Sequence, residues 1–341
     1  MAEALVEAID AAIAKANPPN AGRTYLGASQ IGDECARKLW YSFHWTALIH
    51  FPARILRLFQ RGHNEEHQIN KYLRDAGIDV YEVDEETGAQ FGFKFAFGHG
   101  GGHMDAALNN LPDSKEWHVG EYKTSSTKYF KDMTEKGVEK SKPVHYAQMQ
   151  LYMHLSGMNQ AAYLMVNKDD DDIYFERVPY NKSEAERLIA KAEFIVESAT
   201  PPTRMSEDST FWKCRFCDYR ELCHYDATPL MNCRTCAHST AETDGDGRWS
   251  CAEHGWDLNT KQQRDGCEDH RYNPDLLGNW AELIDPGEGN PRYKNLRSGN
   301  EFVNGNGGYA SAEIAAVQDI KFIGDAAADK LKVKMNATVT G

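Results

Sequence analysis

The stretch that decides the reading of this chain is "HVGEYKTSS" (118–126), taken with "GHMDAAL" (102–108) just before it. Each predicts a β-strand bounded by glycines or short polar turns. Side chains alternate along a strand, so Glu121 and Lys123 share one face. If the two strands are neighbours, Asp105 joins them there. Two carboxylates and a lysine suit metal-assisted cleavage of a phosphodiester. The carboxylates are hard oxygen ligands for Mg²⁺ or Mn²⁺. The ion stabilises charge on the phosphate and lowers the pKa of a bound water, while the lysine orients that water or neutralises developing charge. An E-x-K triplet alone is equally an ordinary Glu–Lys pair on a half-exposed strand, so the weight rests on what surrounds it.

Working outward, strands are predicted at "IDVYEV" (78–83), "AQFGFKFAF" (89–97), "AAYLMVN" (161–167) and "DIYFERV" (172–178). Helices are predicted over 2–16, on the apolar stripe Leu5, Val6, Ile9 and Ile13, and over 53–76, ending at Gly77. Two more are predicted over 144–156, after Pro143, and over 181–198. This order predicts an α/β (α+β) core with a mixed central sheet flanked by helices. Residues 203–273 are rich in cysteine and aperiodic, as metal-pinned loops are. Residues 285–341 are rich in Gly and Asn and read as a weakly structured extension with a hairpin around "YKNLRSGNEFV" (293–303). No G-x4-G-K-S/T loop is present, so no motor domain is expected.

Two helices carry further candidates. "RGHNEEHQINKYL" (61–73) places Glu65, Glu66 and His67 after Gly62, and one of them is positioned to complete a metal shell. "HYAQMQLYMHL" (145–155) places Gln148 and Tyr152 four apart on one helical face, suited to holding DNA by hydrogen bonding and stacking. Each also reads more plainly, as a solvated acidic face and as amphipathic packing.

G-x3-E in a helix, then Asp, then E-x-K, then Q-x3-Y resembles the motif order of the RecB-like branch of the PD-(D/E)XK nucleases. The resemblance covers about residues 62–152 and implies a restriction-endonuclease-like core. It assigns Gly62 and Glu66 to the first motif, with His67 competing for the ligand role. Asp105 becomes the metal aspartate, Glu121 and Lys123 the E-x-K pair, and Gln148 and Tyr152 the last motif. The aspartate stands in "HMD", without the usual proline.

Eight cysteines are present, seven of them between 214 and 267. The start, "MAEALVEAID" (1–10), carries acids where a secretory signal needs a basic region and an apolar run. A reducing compartment is therefore expected, where clustered cysteines are more often metal ligands than disulfides. "KCRFCDYRELC" (213–223) spaces Cys214, Cys217 and Cys223 as C-x2-C-x5-C, one ligand short of four. The iron–sulfur subset of the same family, which includes AddB-type helicase–nucleases and CRISPR-associated exonucleases, carries one cysteine before the nuclease motifs and three after. By that resemblance Cys35, in "IGDECARKLWYSF" (31–43), supplies the fourth thiolate to a [4Fe–4S] cluster. Such a cluster closes a loop of nearly 180 residues. Structural zinc remains the alternative, since four thiolates suit both.

Cys233, Cys236, Cys251 and Cys267 form a second, zinc-ribbon-like set, with His238, His254 and His270 as nearby substitutes. Arg234, Arg248, Trp249 and Lys261 there are candidates for DNA or partner contact. The organisation expected is a nuclease domain at 1–228, a metal-binding module at 229–275 and an extension at 276–341.

Net charge is −13, so the bulk composition does not advertise a nucleic-acid binder and no run is long enough to span a membrane. Local cations are present: six lysines over 123–142, and Arg54, Arg57 and Arg61 on one helical face, able to follow phosphates unless the lysine run is merely solvated. The reading as a whole is a Mg²⁺- or Mn²⁺-dependent exonuclease acting on DNA ends, single- or double-stranded, in recombination, repair or phage DNA processing. It would work in the cytoplasm of a bacterium or a phage-infected cell, with or without a recombination or helicase partner. The rivals are a non-catalytic DNA-binding scaffold on the same fold and a CRISPR-adaptation-type end trimmer in a complex.

Overall fold

The computed structural model describes residues 2–20, 22–335 and 338. The chain divides into two compact units. One comprises Met1–Asn20, Tyr25–Glu34 and His50–Glu193, and the other Ala21–Thr24, Cys35–Ile49 and Phe194–Gly341. The principal helices are α1 (Ala2–Ala16), α2 (Ala36–Phe43), α3 (Ala53–Asp75), α4 (Thr127–Ser141), α5 (Pro143–Ser156) and α6 (Lys182–Glu197). The strands up to residue 179 are β1 (Leu26–Gly27), β2 (Asp79–Tyr81), β3 (Gly92–Phe95), β4 (Gly100–His103), β5 (Ala106–Asn109), β6 (His118–Ser125), β7 (Gln160–Asn167) and β8 (Ile173–Pro179).

The first unit is built on a five-stranded sheet in the order β2-β5-β6-β7-β8. Only β6 and β7 run parallel; the other neighbours are antiparallel. A parallel pair needs a long crossover, and α4 with α5 supplies it. The fold is therefore mixed α/β, with helices flanking a mixed sheet. β7 is buried from Ala161 to Asn167 and accordingly reads as a nearly continuous apolar run. Ile69 of α3 packs with Ala106, Leu108, Tyr122, Ala162, Leu164 and Val166, and Leu73 closes the same seam.

A smaller sheet, β1-β4-β3, lies in the same unit. The run of glycines in β4 has a steric cause. A Cβ on Gly100 would stand 2.4 Å from the Phe95 ring, and one on Gly102 would stand 2.6 Å from the Tyr152 hydroxyl. Side chains from elsewhere occupy the space a β-carbon would take.

One expectation is corrected in this unit. "HMDAAL" is not one strand: the chain bends at Met104 and Asp105 between β4 and β5, so Asp105 stands just outside the ladder. The lysine-rich stretch after β6 is a helix, α4, broken at Gly137 (φ +73°). Its periodic signal is weak because Met133 and Val138 are its only fully buried side chains.

In the second unit, the part expected to be weakly structured is folded. Ala281–Asp285, Arg292–Asn295 and Glu301–Val303 form an antiparallel sheet that includes the expected hairpin. Trp280, Tyr293, Phe302 and Tyr309 bury together with Leu277, Ile314 and Ile323. The glycines and asparagines that suggested weak structure serve turns, as at Gly299 (φ +79°). Three short strands, Ser239–Ala241, Trp249–Cys251 and Trp256–Asp257, form a further small sheet. α2 is tied to the segment after residue 197: Trp40 Nε1 donates to the Ser198 carbonyl at 2.8 Å, and Arg37 Nη1 to the Pro202 carbonyl at 2.8 Å.

Candidate active site and thiol clusters

β6 carries the centre of the site. Glu121 has no solvent exposure, although carboxylates are almost never fully buried unless paired. Its Oε1 forms an ion pair with Lys123, while its Oε2 is buried without a hydrogen-bond partner. Lys123 Nζ also donates to the Tyr122 carbonyl at 3.0 Å. Asp105 reaches the same strand from its bend, where Oδ2 accepts the Tyr122 backbone N–H at 2.7 Å.

Glu66 comes from α3. It lies three residues before the buried Ile69 and seven before Leu73, so it extends the core-facing stripe by one turn. Burial first, then Asp105, raises its carboxyl above the ordinary range, with Lys123 and nearby histidines opposing. Burial likewise raises Glu121; Lys123 opposes, and Asp105 and Glu66 add to it. Burial works against the Lys123 ammonium, but Glu121, Asp105 and Glu66 more than compensate and hold it above its usual value. The three carboxylates and the lysine thus act on one another. His67 acts on Glu66 through its charge but stands apart: its side chain is 80% exposed and its Nδ1 lies 3.7 Å from Glu82. Gly62 meets no steric demand, since a Cβ there would have nothing within 4 Å.

Gln148 and Tyr152 are at 6% and 1% exposure, and Gln148 Nε2 donates to Tyr152 Oη at 3.4 Å. Tyr152 also lies against Phe93, with ring centres 5.6 Å apart. The pair expected to meet a strand is instead sealed inside the unit, bonded to itself. The structure adds two residues the sequence reading passed over. Tyr163 stands opposite Glu121 in the β6–β7 ladder. Its hydroxyl lies 2.8 Å from His145 Nδ1. Burial, with Lys123 and Lys142, pushes His145 down to about 3, so it is a neutral imidazole. The one signal for it was its place three residues before Gln148.

In the second unit, Cys217 N–H donates to the Cys214 carbonyl at 3.0 Å, a tight turn. Cys214 is raised by burial and by Cys223 and Cys35; Cys217 is raised by burial, with Cys35 contributing. Cys35, at the start of α2, therefore shares a neighbourhood with the later trio.

Cys233, Cys236, Cys251 and Cys267 line one cavity of about 160 Å³, with His254 and Asp269. Burial raises Cys233 to about 12 and Cys236 to about 11, and in each the neighbouring thiols contribute. His254 Nε2 lies 3.5 Å from Cys267 Sγ and 3.8 Å from Asp269. His270 lines the same cavity; its Nε2 lies 3.0 Å from the Asn232 carbonyl, and its Nδ1 is buried without a hydrogen-bond partner. Of the four residues expected to contact DNA here, two are buried and two lie at the surface in ion pairs. Arg234 is buried 3.7 Å from the Trp45 ring centre, Trp249 is buried, Arg248 pairs with Asp244 and Asp257, and Lys261 pairs with Asp265. Among the other expected phosphate contacts, Arg57 pairs with Asp10 and Lys136 with Asp132. Among the described residues, no helix is long and apolar enough to cross a membrane.

Residues 8–224 match the family described as the PD-(D/E)XK nuclease superfamily. No curated protein matches the chain. Among solved structures, the protein designated SSO0001 is 16% identical, over 64% of this chain and 95% of that one, with a TM-score of 0.39. The alkaline exonuclease of Laribacter hongkongensis is 19% identical, over 50% of this chain and 85% of that one, with a TM-score of 0.36. A phage-related exonuclease from Haemophilus somnus 129PT is 15% identical, over 50% of this chain and 92% of that one, with a TM-score of 0.35.

Proposed function

The chain belongs to the PD-(D/E)XK nuclease superfamily, and on that premise we propose that it is a divalent-metal-dependent deoxyribonuclease acting at DNA ends. The observation that carries this reading is Glu121: a fully buried carboxylate with one oxygen on Lys123 and the other without a partner. A buried, unpartnered carboxylate oxygen is costly unless it binds something. Asp105 and Glu66 bring further negative charge to the same point. The donor set is all oxygen and suits Mg²⁺ or Mn²⁺, so Asp105, Glu121 and Glu66 would hold the ion. When bound, the ion supplies charge stabilisation on the phosphate and a more acidic water.

The chain's own groups do the rest. Lys123 stays protonated and is fixed by Glu121 and the Tyr122 carbonyl, so its remaining N–H can hold the attacking water or the phosphate oxygen. Asp105 is oriented by the Tyr122 N–H. Gln148 and Tyr152 act as positioning residues behind the site. Water adds to phosphorus, the P–O bond to the neighbouring sugar breaks, and that oxygen takes a proton, leaving a phosphomonoester and a hydroxyl.

We assign Cys35, Cys214, Cys217 and Cys223 to a [4Fe–4S] cluster of the AddB-like subset; their mutual electrostatic influence supports this, and bound zinc is the alternative. We assign Cys233, Cys236, Cys251 and Cys267 to a zinc ion, with His254 next to Cys267. On this reading residues 1–228 are the nuclease domain, 229–275 the zinc module and 276–341 a folded extension. The protein works in the cytoplasm on DNA intermediates of recombination, repair or phage processing.

The test is incubation of anaerobically purified protein with end-labelled linear DNA and Mn²⁺. Wild type is expected to release labelled nucleotide progressively. Lys123→Ala should slow this by about 10²-fold or more. Equal rates would remove Lys123 from the site, and an inactive wild type under all divalent metals would overturn the reading.

A further inference from the structure

The segment "FWKCRF" (211–216) inverts the usual fate of its residues. Its thiol is partly covered and is raised by burial and by Cys223 and Cys35. Its large rings face water: Trp212 is 64% exposed and Phe216 80%. Trp212 opens a single helical turn, Trp212–Arg215, and Phe216 caps its end. Each carries a cation on its ring. Lys213 Nζ lies 4.9 Å from the Trp212 ring centre, and the Arg215 guanidinium 5.5 Å from that of Phe216. Among the described residues no carboxylate pairs with Arg215. A third ring of the same unit, the exposed Tyr225, has the Arg220 guanidinium 5.1 Å from its centre.

An open ring with a cation on it is a poor face for an apolar protein partner, because docking would strip water from the charge. It is a good face for a polyanion that also presents flat rings. A base has a π-face for the aromatic ring, and its phosphate meets the cation. Duplex DNA hides its base faces, so the chemistry selects a single strand. We propose that Trp212 and Phe216 form a platform on which bases of single-stranded DNA stack, with Lys213 and Arg215 meeting the phosphates. The proposal rests on the nuclease reading only in that the chain meets DNA.

The experiment is equilibrium binding of a fluorescent oligothymidylate of about 16 nucleotides to the full chain, without added divalent metal. Wild type should bind. W212A/F216A should weaken binding by about tenfold or more, while W212F/F216Y should retain it. Arg215→Ala should flatten the dependence of log affinity on log salt by about 0.7. The visible spectrum and thermal midpoint of each variant are recorded, and W212A/F216A is expected to keep both, since neither ring is in the core. Wild-type affinity in W212A/F216A overturns the proposal and leaves the patch for a protein partner. So does an equal loss on a blunt duplex of the same length. The nuclease reading fails separately: a wild type that stacks the oligothymidylate on these rings but cleaves no DNA with Mn²⁺ keeps the platform and loses the enzyme. A wild type that cleaves while the rings are indifferent does the reverse.

Discussion

Asp105 Oδ2 accepts the backbone N–H of Tyr122 at 2.7 Å, which ties an aspartate outside the strand ladder to the residue between Glu121 and Lys123. One side chain thus has two duties, holding a strand and, on the proposed reading, holding a metal. The two separate by substitution. Asp105→Asn keeps an oxygen for the Tyr122 N–H but weakens the metal site, so cleavage should fall by about 10²-fold or more with little change in thermal midpoint. Asp105→Ala loses both and should also cost about 1–3 kcal/mol of stability, because a buried N–H is left without an acceptor. Equal midpoints for the two variants would contradict the anchoring role.

Divalent metal should stabilise the fold through the same carboxylates. Mn²⁺ at about 100 times its dissociation constant adds about 2.7 kcal/mol when only the folded state binds. Thermal unfolding of wild type should shift upward with Mn²⁺, and that of Glu121→Gln should not. A full shift in Glu121→Gln would move the metal elsewhere.

Acid should unfold the protein partly through His145. Its folded-state value lies at about 3, against 6.5 in the free side chain. The unfolded chain therefore takes up a proton that the folded one refuses. The stability linked to neutral His145 is complete above pH 6.5 and is lost as pH falls toward 3. In that window His145→Gln should reduce the slope of stability against pH by about 1.4 kcal/mol per unit. Burial lowers His270 in the same way, to about 4, so part of the slope should remain. Urea midpoints at neutral and mildly acid pH decide it; an unchanged slope would mean that His145 is protonated in the fold.

The distant Cys35 should behave as a partner of Cys214. Cys35→Ala and Cys214→Ala should each abolish visible absorption and lower the thermal midpoint, and the double variant should be no worse than either, because both remove one cluster. Additive losses, or a coloured Cys35→Ala protein, would separate Cys35 from the trio.

Much of this was legible along the chain. The strand expected at the E-x-K triplet is β6, and a strand's period of two, a local property, puts Glu121 and Lys123 on one face. The helices α1, α3, α5 and α6 follow from apolar spacing and punctuation by Pro and Gly. The C-x2-C spacings mark tight turns for the same reason. Where the apolar signal is diluted, the local pattern marks no element: α4 shows two buried residues among many charges. The glycines and asparagines after residue 285 conceal a sheet whose aromatic core is gathered from residues far apart.

What the sequence determined by itself is which residues share a strand, a turn or a helical face, and hence the placing of Glu121 beside Lys123 and of Cys214 three residues before Cys217. What only the tertiary structure decided is which of those faces are covered. It buries Glu121 and leaves one oxygen without a partner. It turns His67 outward and Glu66 toward Asp105 and Lys123. It seals Gln148 and Tyr152 inside while Trp212 and Phe216 stand open to solvent. Burial is set by contacts between segments distant in sequence, and no local period carries that information.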